Sequence, residues 1–243
     1  MFVALATAVA FAPVLGAGFV AWDDDKNFLE NTHYRGLGPA QLSWMWTTFH
    51  LGHYVPLSWM SLGLDYRLWG MNAAGYHATN LVLHAANAVL LFYIARRVLR
   101  MTGNIEPSPR RDAAAACAAL VFAVHPLRVE SVAWITERRD VLSGFFVLAS
   151  VLCYLRALDA GAGRRWYLLS VAAFAAALLS KATAVTLPAV LLVINIYPLR
   201  RLGRPGGAGW WTPAARRVYA ELAPYALLAL STVVMTFVAP SST

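Results

Sequence analysis

The chain has 243 residues, of which 59% are hydrophobic and 13% charged, and it carries a formal net charge of +8. A soluble domain averages roughly 45–50% apolar and about 25% charged residues, so an ordinary soluble domain and a disordered chain are both excluded, and a bilayer is the environment that suits this composition. The basic residues sit in short loops between apolar runs, which is how membrane topology is written, so the charge points to no nucleic-acid partner.

Residues 1–22 form the first apolar run, with no charge until Asp23. A span needs about 20 such residues. A signal peptide would want a basic start, and Met1-Phe2-Val3-Ala4 has none, so a retained helix is expected. Asp23, Asp24 and Asp25 come directly after it. Three adjacent carboxylates repel one another, and one of them could serve as a general base or hold a divalent cation; a solvated helix end is the alternative. The loop 22–79 is long but rich in aromatic residues, including Trp44, Trp46, Trp59 and Trp69. Such amphipathic segments lie flat at the interface, and Pro39 and Pro56 predict two or three short helices there.

The next apolar run, 80–95, carries His77, Asn80, His84 and Asn87 at spacings of three, four and three on one helical stripe. A polar stripe faces a cavity or a partner helix rather than lipid. Metal ligation is not expected, because His77 and His84 are two turns apart. Run 113–124 covers only about 18 Å at 1.5 Å per residue. Segment 125–140, HPLRVESVAWITERRD, places Glu130 and Glu137 two helical turns apart, hence on one face, and carries near its end a pair of cations, Arg138 and Arg139, suited to a lipid-linked phosphate or to ion pairing within an interfacial helix. Runs 141–155, 167–180, 182–197 and 222–238 complete seven crossings. Lys181 lies where 167–197 would be too long for one span of a roughly 30 Å core, so the chain is expected to turn there. A lysine at membrane depth is functional by default, with snorkelling to the interface as the alternative. Cys117 and Cys153 lie in apolar runs and make no disulfide framework or metal site. No 34-residue repeat is present.

Alternating crossings divide the loops into two sets. One set, 96–112, 156–166 and 199–220, holds 13 basic residues; the other holds 7. The first is therefore cytoplasmic. Eight of the twelve acids fall in the second set, which places the chemistry on the outer face.

Four blocks, WDDDKNFLENTHYRGLG (22–38), HYVPLSWMSLGLDYRLWGMNAAGYHATNLVLHAANAVL (53–90), HPLRVESVAWITERRDVLSG (125–144) and SKATAVTLP (180–188), resemble the membrane region of the transmembrane and tetratricopeptide-repeat O-mannosyltransferase family, including its bacterial homologues. The resemblance implies an all-α, multi-pass GT-C-like bundle of about seven membrane helices, with interfacial helices in the first outer loop (22–79) and a second outer loop at 125–140. It implies transfer of a sugar, mannose for this family, from a polyprenyl-phosphate donor to a Ser or Thr hydroxyl of an acceptor protein, with inversion. Asp23 and Asp24 match the family's acidic pair. Arg138, Arg139 and Lys181 are the expected phosphate-binding cations, and His53, His77, Asn80, His84, His125, Glu130 and Asp140 the expected cavity lining. Metal ligands are not expected, and the acidic cluster could serve with or without a divalent cation as cofactor. The chain reads as an amino-terminal fragment, 1–243, of such an enzyme without its repeat array. Eighteen arginines against two lysines, with abundant alanine, suggest a bacterial inner membrane. The rival readings are a transporter or lipid-handling protein, and an inactive membrane scaffold.

Overall fold

Prolines set where several helices begin. Helices α2 (Pro39–Thr47), α3 (Pro56–Trp69), α5 (Pro109–Ala123) and α10 (Pro213–Val238) all open on one. At the first helical position the missing N–H has no intrahelical partner to lose, and the fixed φ is already helical. The others are α1 (Phe2–Phe11), α4 (Ala73–Thr102), α6 (Arg128–Ala133), α7 (Arg138–Ala157), α8 (Gly163–Leu178) and α9 (Leu187–Ile196). The computed structural model describes residues 2–102, 108–159, 161, 163–203 and 209–238, and among these there is no β-strand.

Ala73–Thr102, Ile135–Ala157 and Pro213–Phe237 are long and apolar enough to cross a membrane; Phe2–Gly16 and Ala182–Ile196 are apolar but shorter. The fold is thus all-α and of multi-pass membrane type. Helices α1, α5, α8 and α9, at 10, 15, 16 and 10 residues, fall short of a standard span of about 20 residues.

Two sequence expectations need correction. Residues 1–22 are not one helix: α1 stops at Phe11, a 3-10 turn runs Ala12–Gly16, and the chain beyond Gly16 is extended. Pro13 cannot continue the α-helical hydrogen bonding, and Gly16 and Gly18 lower the helical tendency of the residues around them. Conversely, α4 is not confined to 80–95 but has 30 residues, about 45 Å at 1.5 Å each, because the uncharged residues 73–79 before that run and the arginine-bearing residues after it are helical too.

Helix α7 packs along α8 and α4, and α4 also meets α1 and α5. Tyr154, Leu155, Phe174, Leu191 and Tyr225 fill the bundle core, and Phe28, Tyr34, Met45, Trp59 and Tyr76 of the first loop form a second cluster with Ile135 of the second loop. The polar stripe of α4 stitches this packing. Asn80 Nδ2 donates to the Val132 and Trp134 carbonyls at 3.3 and 3.4 Å, Asn87 Nδ2 to that of Val141 at 2.9 Å, and His84 Nε2 lies 2.8 Å from the Ala123 carbonyl.

The two loop sets gather at opposite ends. At one end Asp24 meets Thr136, Ser58 meets Ser180, and Lys181 meets Glu137. At the other, Arg97 reaches Leu155 O and Asp159, Arg96 pairs with Asp112, and Arg201 holds Glu221 through two bonds of 2.7 and 2.8 Å. Polar groups therefore occupy both ends rather than the acidic end alone. Arg204, counted in the arginine-rich set, lies outside the described residues.

Candidate active site

After Gly16 the chain runs extended and turns at 21–23 into a π-helical turn, Asp25–Leu29. Asp24 is completely buried. Its Oδ1 accepts from the Thr136 backbone N–H at 3.1 Å and hydroxyl at 2.6 Å, and its Oδ2 from the Val20 N–H at 2.9 Å. Asp24 is thereby a pin between the first and second loops. Asp23, next to it, is only half-buried and faces a cavity.

From Glu137 to Asp140 the side chains divide between a network around Lys181 and a buried ion pair. Glu137 accepts two bonds from Arg139, at 2.9 and 2.7 Å, on one oxygen and one from Lys181, at 2.7 Å, on the other. Asp140 accepts from Lys181 at 2.5 Å and from the Ser131 hydroxyl at 3.0 Å. Arg138 is 0% exposed. It pairs with Asp65 at 2.6 Å, donates to Ser61 Oγ at 2.8 Å and the Tyr76 carbonyl at 2.9 Å, and also bonds Asn80. A desolvated guanidinium needs such a complete set of partners.

Two cavities meet here. One, of about 260 Å³, is polar, with Asp23, Lys26, His50, His53, Thr136 and Arg139 on its wall. The other, of about 190 Å³, is walled by Tyr54, Leu178, Leu179 and Met235, with Arg139 and Lys181 supplying charge. His53, Val55 and Arg139 belong to both. Partial shielding from water pushes the His53 imidazole below its ordinary pKa. Arg139 and Lys181 push the same way, and Glu137 and Asp23 oppose them. His53 is thus a neutral imidazole at neutral pH. His50 is pushed down as well, chiefly by burial.

The structure thus brings together Asp23, His53, Arg139, Lys181 and, through Lys181, Asp140. It does not bring Arg138 with them, so a phosphate-binding role does not fit Arg138: every face of its guanidinium is covered by protein. His77, Asn80 and His84 are buried in the helix packing and line neither cavity. His125 and Glu130 are exposed, the His125 ring accepting from the Leu127 N–H at 3.2 Å. Glu130 and Glu137 do not share a helical face, because α6 ends at Ala133 and Trp134 is extended. Asp65, Ser61, Thr136 and His50 escaped sequence reasoning. Asp65 had a signal, as the only acid in an apolar, aromatic helix. Among the described residues no group of three or more His, Cys, Asp or Glu side chains is placed to hold a metal ion; the oxygens of Asp24 already face three donors.

No protein-family model and no solved structure matches the chain. Curated sequences do. The chain is 35% identical over 188 residues to Protein O-mannosyl-transferase Tmtc1 of Drosophila melanogaster, a match covering 73% of this chain and 20% of that protein. It is 32% identical over 208 residues to Tmtc2 of the same organism, covering 79% and 21%. The chain is homologous to the TMTC protein O-mannosyl-transferases. The human TMTC4 is 30% identical over 207 residues, 77% of this chain and 28% of that one. The chain thus spans between a fifth and just over a quarter of these relatives' length. All of them are animal proteins, so they lend no support to a bacterial inner membrane.

Proposed function

We propose that this chain forms the donor-side catalytic region of a GT-C-type glycosyltransferase, taking a hexose, mannose by homology, from a polyprenyl-phosphate donor to a Ser or Thr hydroxyl of an acceptor protein. The observation that carries the reading is the junction of the two cavities. A half-buried carboxylate, Asp23, faces the polar one, and Arg139 and Lys181 stand on the wall of the apolar one. A lipid-linked sugar phosphate has this same division: a polar sugar, an anion and a hydrocarbon tail.

In this reading the sugar occupies the polar cavity and the first part of the lipid the apolar one. Asp23 removes the acceptor hydroxyl proton. The oxygen attacks the anomeric carbon from the side opposite the phosphate, and the carbon–oxygen bond to phosphate breaks with inversion. Polyprenyl phosphate leaves with the electron pair, its charge met by Arg139 and Lys181, preorganised by Glu137 and Asp140. Fixed charges aimed at a developing anion are commonly the largest catalytic contribution. Asp24 holds the two loops in register, so that Asp23 is the base and Asp24 its support. The arginine-rich loops at the opposite end favour a non-cytoplasmic face for the site. Residues 22–79 and 125–140 are the two loops that build it within a single membrane domain.

The test is direct. The protein, reconstituted in lipid, is incubated with polyprenyl-phosphate mannose and with other polyprenyl-phosphate hexoses in the presence of a Ser/Thr acceptor. Inverted glycosyl product that disappears in Asp23→Asn supports the reading; donor binding without transfer in the wild type refutes it.

A further inference from the structure

Among the described residues three belong to both cavities, and of these Val55 has no hydrogen-bonding side chain and Arg139 is held by Glu137. The third is His53. The charges of Asp23 in the first loop, Glu137 and Arg139 in the second, and Lys181 in the turn after α8 all act on its imidazole, and Asp23, Arg139 and Lys181 share a cavity wall with it. His50 and Lys26 share the polar cavity with it. No hydrogen bond joins the His53 side chain to any of them among the described residues.

The backbone leading to His53 is strained. Leu51 and Gly52, immediately before it, are both left-handed, with φ of 49° and 75°. An L-residue other than glycine in that region pays roughly 1–2 kcal/mol, and such strain clusters at functional sites. The double turn reverses the chain after Phe49 and delivers His53 in an extended conformation, three residues ahead of α3. Leu51 itself lies on the polar cavity wall.

We propose that His53 is a catalytic residue that donates a hydrogen bond from its ring N–H to the oxygen bridging sugar and phosphate in the donor. The inference rests on the reading of the site as a glycosyltransferase. If the sugar lies in one cavity and the lipid in the other, the scissile bond lies at their common wall. As the acceptor oxygen bonds to the anomeric carbon, the bond to the bridging oxygen breaks. That oxygen keeps the electron pair and becomes a terminal oxygen of polyprenyl phosphate. The acceptor proton goes to Asp23. A neutral imidazole supplies one N–H to the oxygen where charge develops, while Arg139 and Lys181 address the remaining phosphate oxygens. The hydrogen bond is weak to the donor's ester oxygen and strong to the departing anion, which is the condition for acceleration rather than mere binding.

The experiment compares wild type, His53→Ala and His53→Gln with polyprenyl-phosphate mannose and a Ser/Thr acceptor. Affinity for polyprenyl phosphate alone is measured in parallel. Removing one such donor lowers kcat about 10²–10³-fold. His53→Ala is therefore expected to lose kcat by that factor, with KM for donor and affinity for polyprenyl phosphate changed less than about threefold. His53→Gln, which keeps an N–H, recovers part of the rate, and added imidazole raises the rate of His53→Ala but not of Asp23→Asn. A kcat within threefold of wild type in His53→Ala overturns the inference. So does a loss that appears equally in polyprenyl-phosphate affinity, or one that imidazole leaves unchanged. If His53→Ala behaves as wild type while Asp23→Asn is inactive, the inference fails and the glycosyltransferase reading stands. A wild-type protein that transfers no sugar removes both.

Discussion

Asp23 and Asp24 are neighbours of identical chemistry, yet the structure predicts that the same substitution destabilises the protein at one and not at the other. Asp24→Asn puts an amide into a completely buried position surrounded by donors. One amide orientation faces the Val20 N–H with an NH₂ group; the other faces the two Thr136 donors. Either way at least one buried donor loses its acceptor, at about 1–3 kcal/mol, and charge-assisted bonds of about 1.5–3 kcal/mol weaken to neutral ones. A loss of about 3 kcal/mol is expected, which for a chain of this size is a fall in Tm of roughly 6–12 °C. Asp23 has one side open to a cavity, so Asp23→Asn should leave Tm within about 1–2 °C while lowering transfer about 10²–10⁴-fold, the usual contribution of a general base. Thermal melting of the purified protein in detergent, with polyprenyl-phosphate binding and transfer measured on the same samples, separates the two. Both variants lose transfer, but only Asp24→Asn loses its melting temperature. The division of labour between the two is refuted if Asp24→Asn melts like wild type or if Asp23→Asn keeps normal transfer.

The buried ion pair gives a second prediction: Arg138→Met strands Asp65 and costs about 3–5 kcal/mol, and Arg138→Met/Asp65→Leu regains most of it, as read by melting. Arg139→Gln and Lys181→Gln should instead weaken polyprenyl-phosphate binding roughly 10-fold or more, the value of a charge-assisted contact, with little change in melting; unchanged affinity in both would make them structural. Because His50 and His53 are held below the ordinary histidine pKa of 6.5, the unfolded chain binds protons that the folded chain resists, so stability falls as pH drops below about 6.5. His50→Gln with His53→Gln should flatten that slope in a pH series of melting curves. In a protein with Cys117 and Cys153 replaced by serine, single cysteines at Glu30 or Leu127 should react with an impermeant reagent from outside and those at Arg165 or Trp211 should not; labelling at Trp211 would invert the topology.

Local features of the site were legible in the sequence because local chemistry determines them. Pro39 and Pro56 start helices wherever the chain can be helical, and the three-four-three spacing of His77, Asn80, His84 and Asn87 marks one helical face in any surroundings. The stripe could not announce that its partners are backbone carbonyls of α5, α6 and α7, since a polar stripe looks the same beside a cavity. The roles of the two adjacent arginines were hidden for a similar reason. Arg138 is turned inward by Asp65, 73 residues earlier, and Arg139 toward Glu137, two residues earlier, and no pattern in ERRD distinguishes them. Glu130 and Glu137 failed as a pair because the periodicity argument assumed one continuous helix, which the extended Trp134 interrupts.

The hydrogen bonds between Ser58 and the Ser180 carbonyl, and between Leu57 N–H and the Leu179 carbonyl, also set a schedule for biosynthesis. The first loop cannot complete its docking until the turn after α8 exists, 122 residues downstream of Ser58. At about 5–20 residues per second the ribosome needs roughly 6–24 s to supply it. For the first part of that interval Trp59 and the aromatic residues clustered with it, Phe28, Tyr34 and Tyr76, also lack Ile135, which completes their cluster. The membrane interface, which favours aromatic rings, is a resting place for them until the later helices arrive. The aromatic residues of the first loop thus suit a half-made chain as well as the finished one, since the interface holds them until their later partners are built.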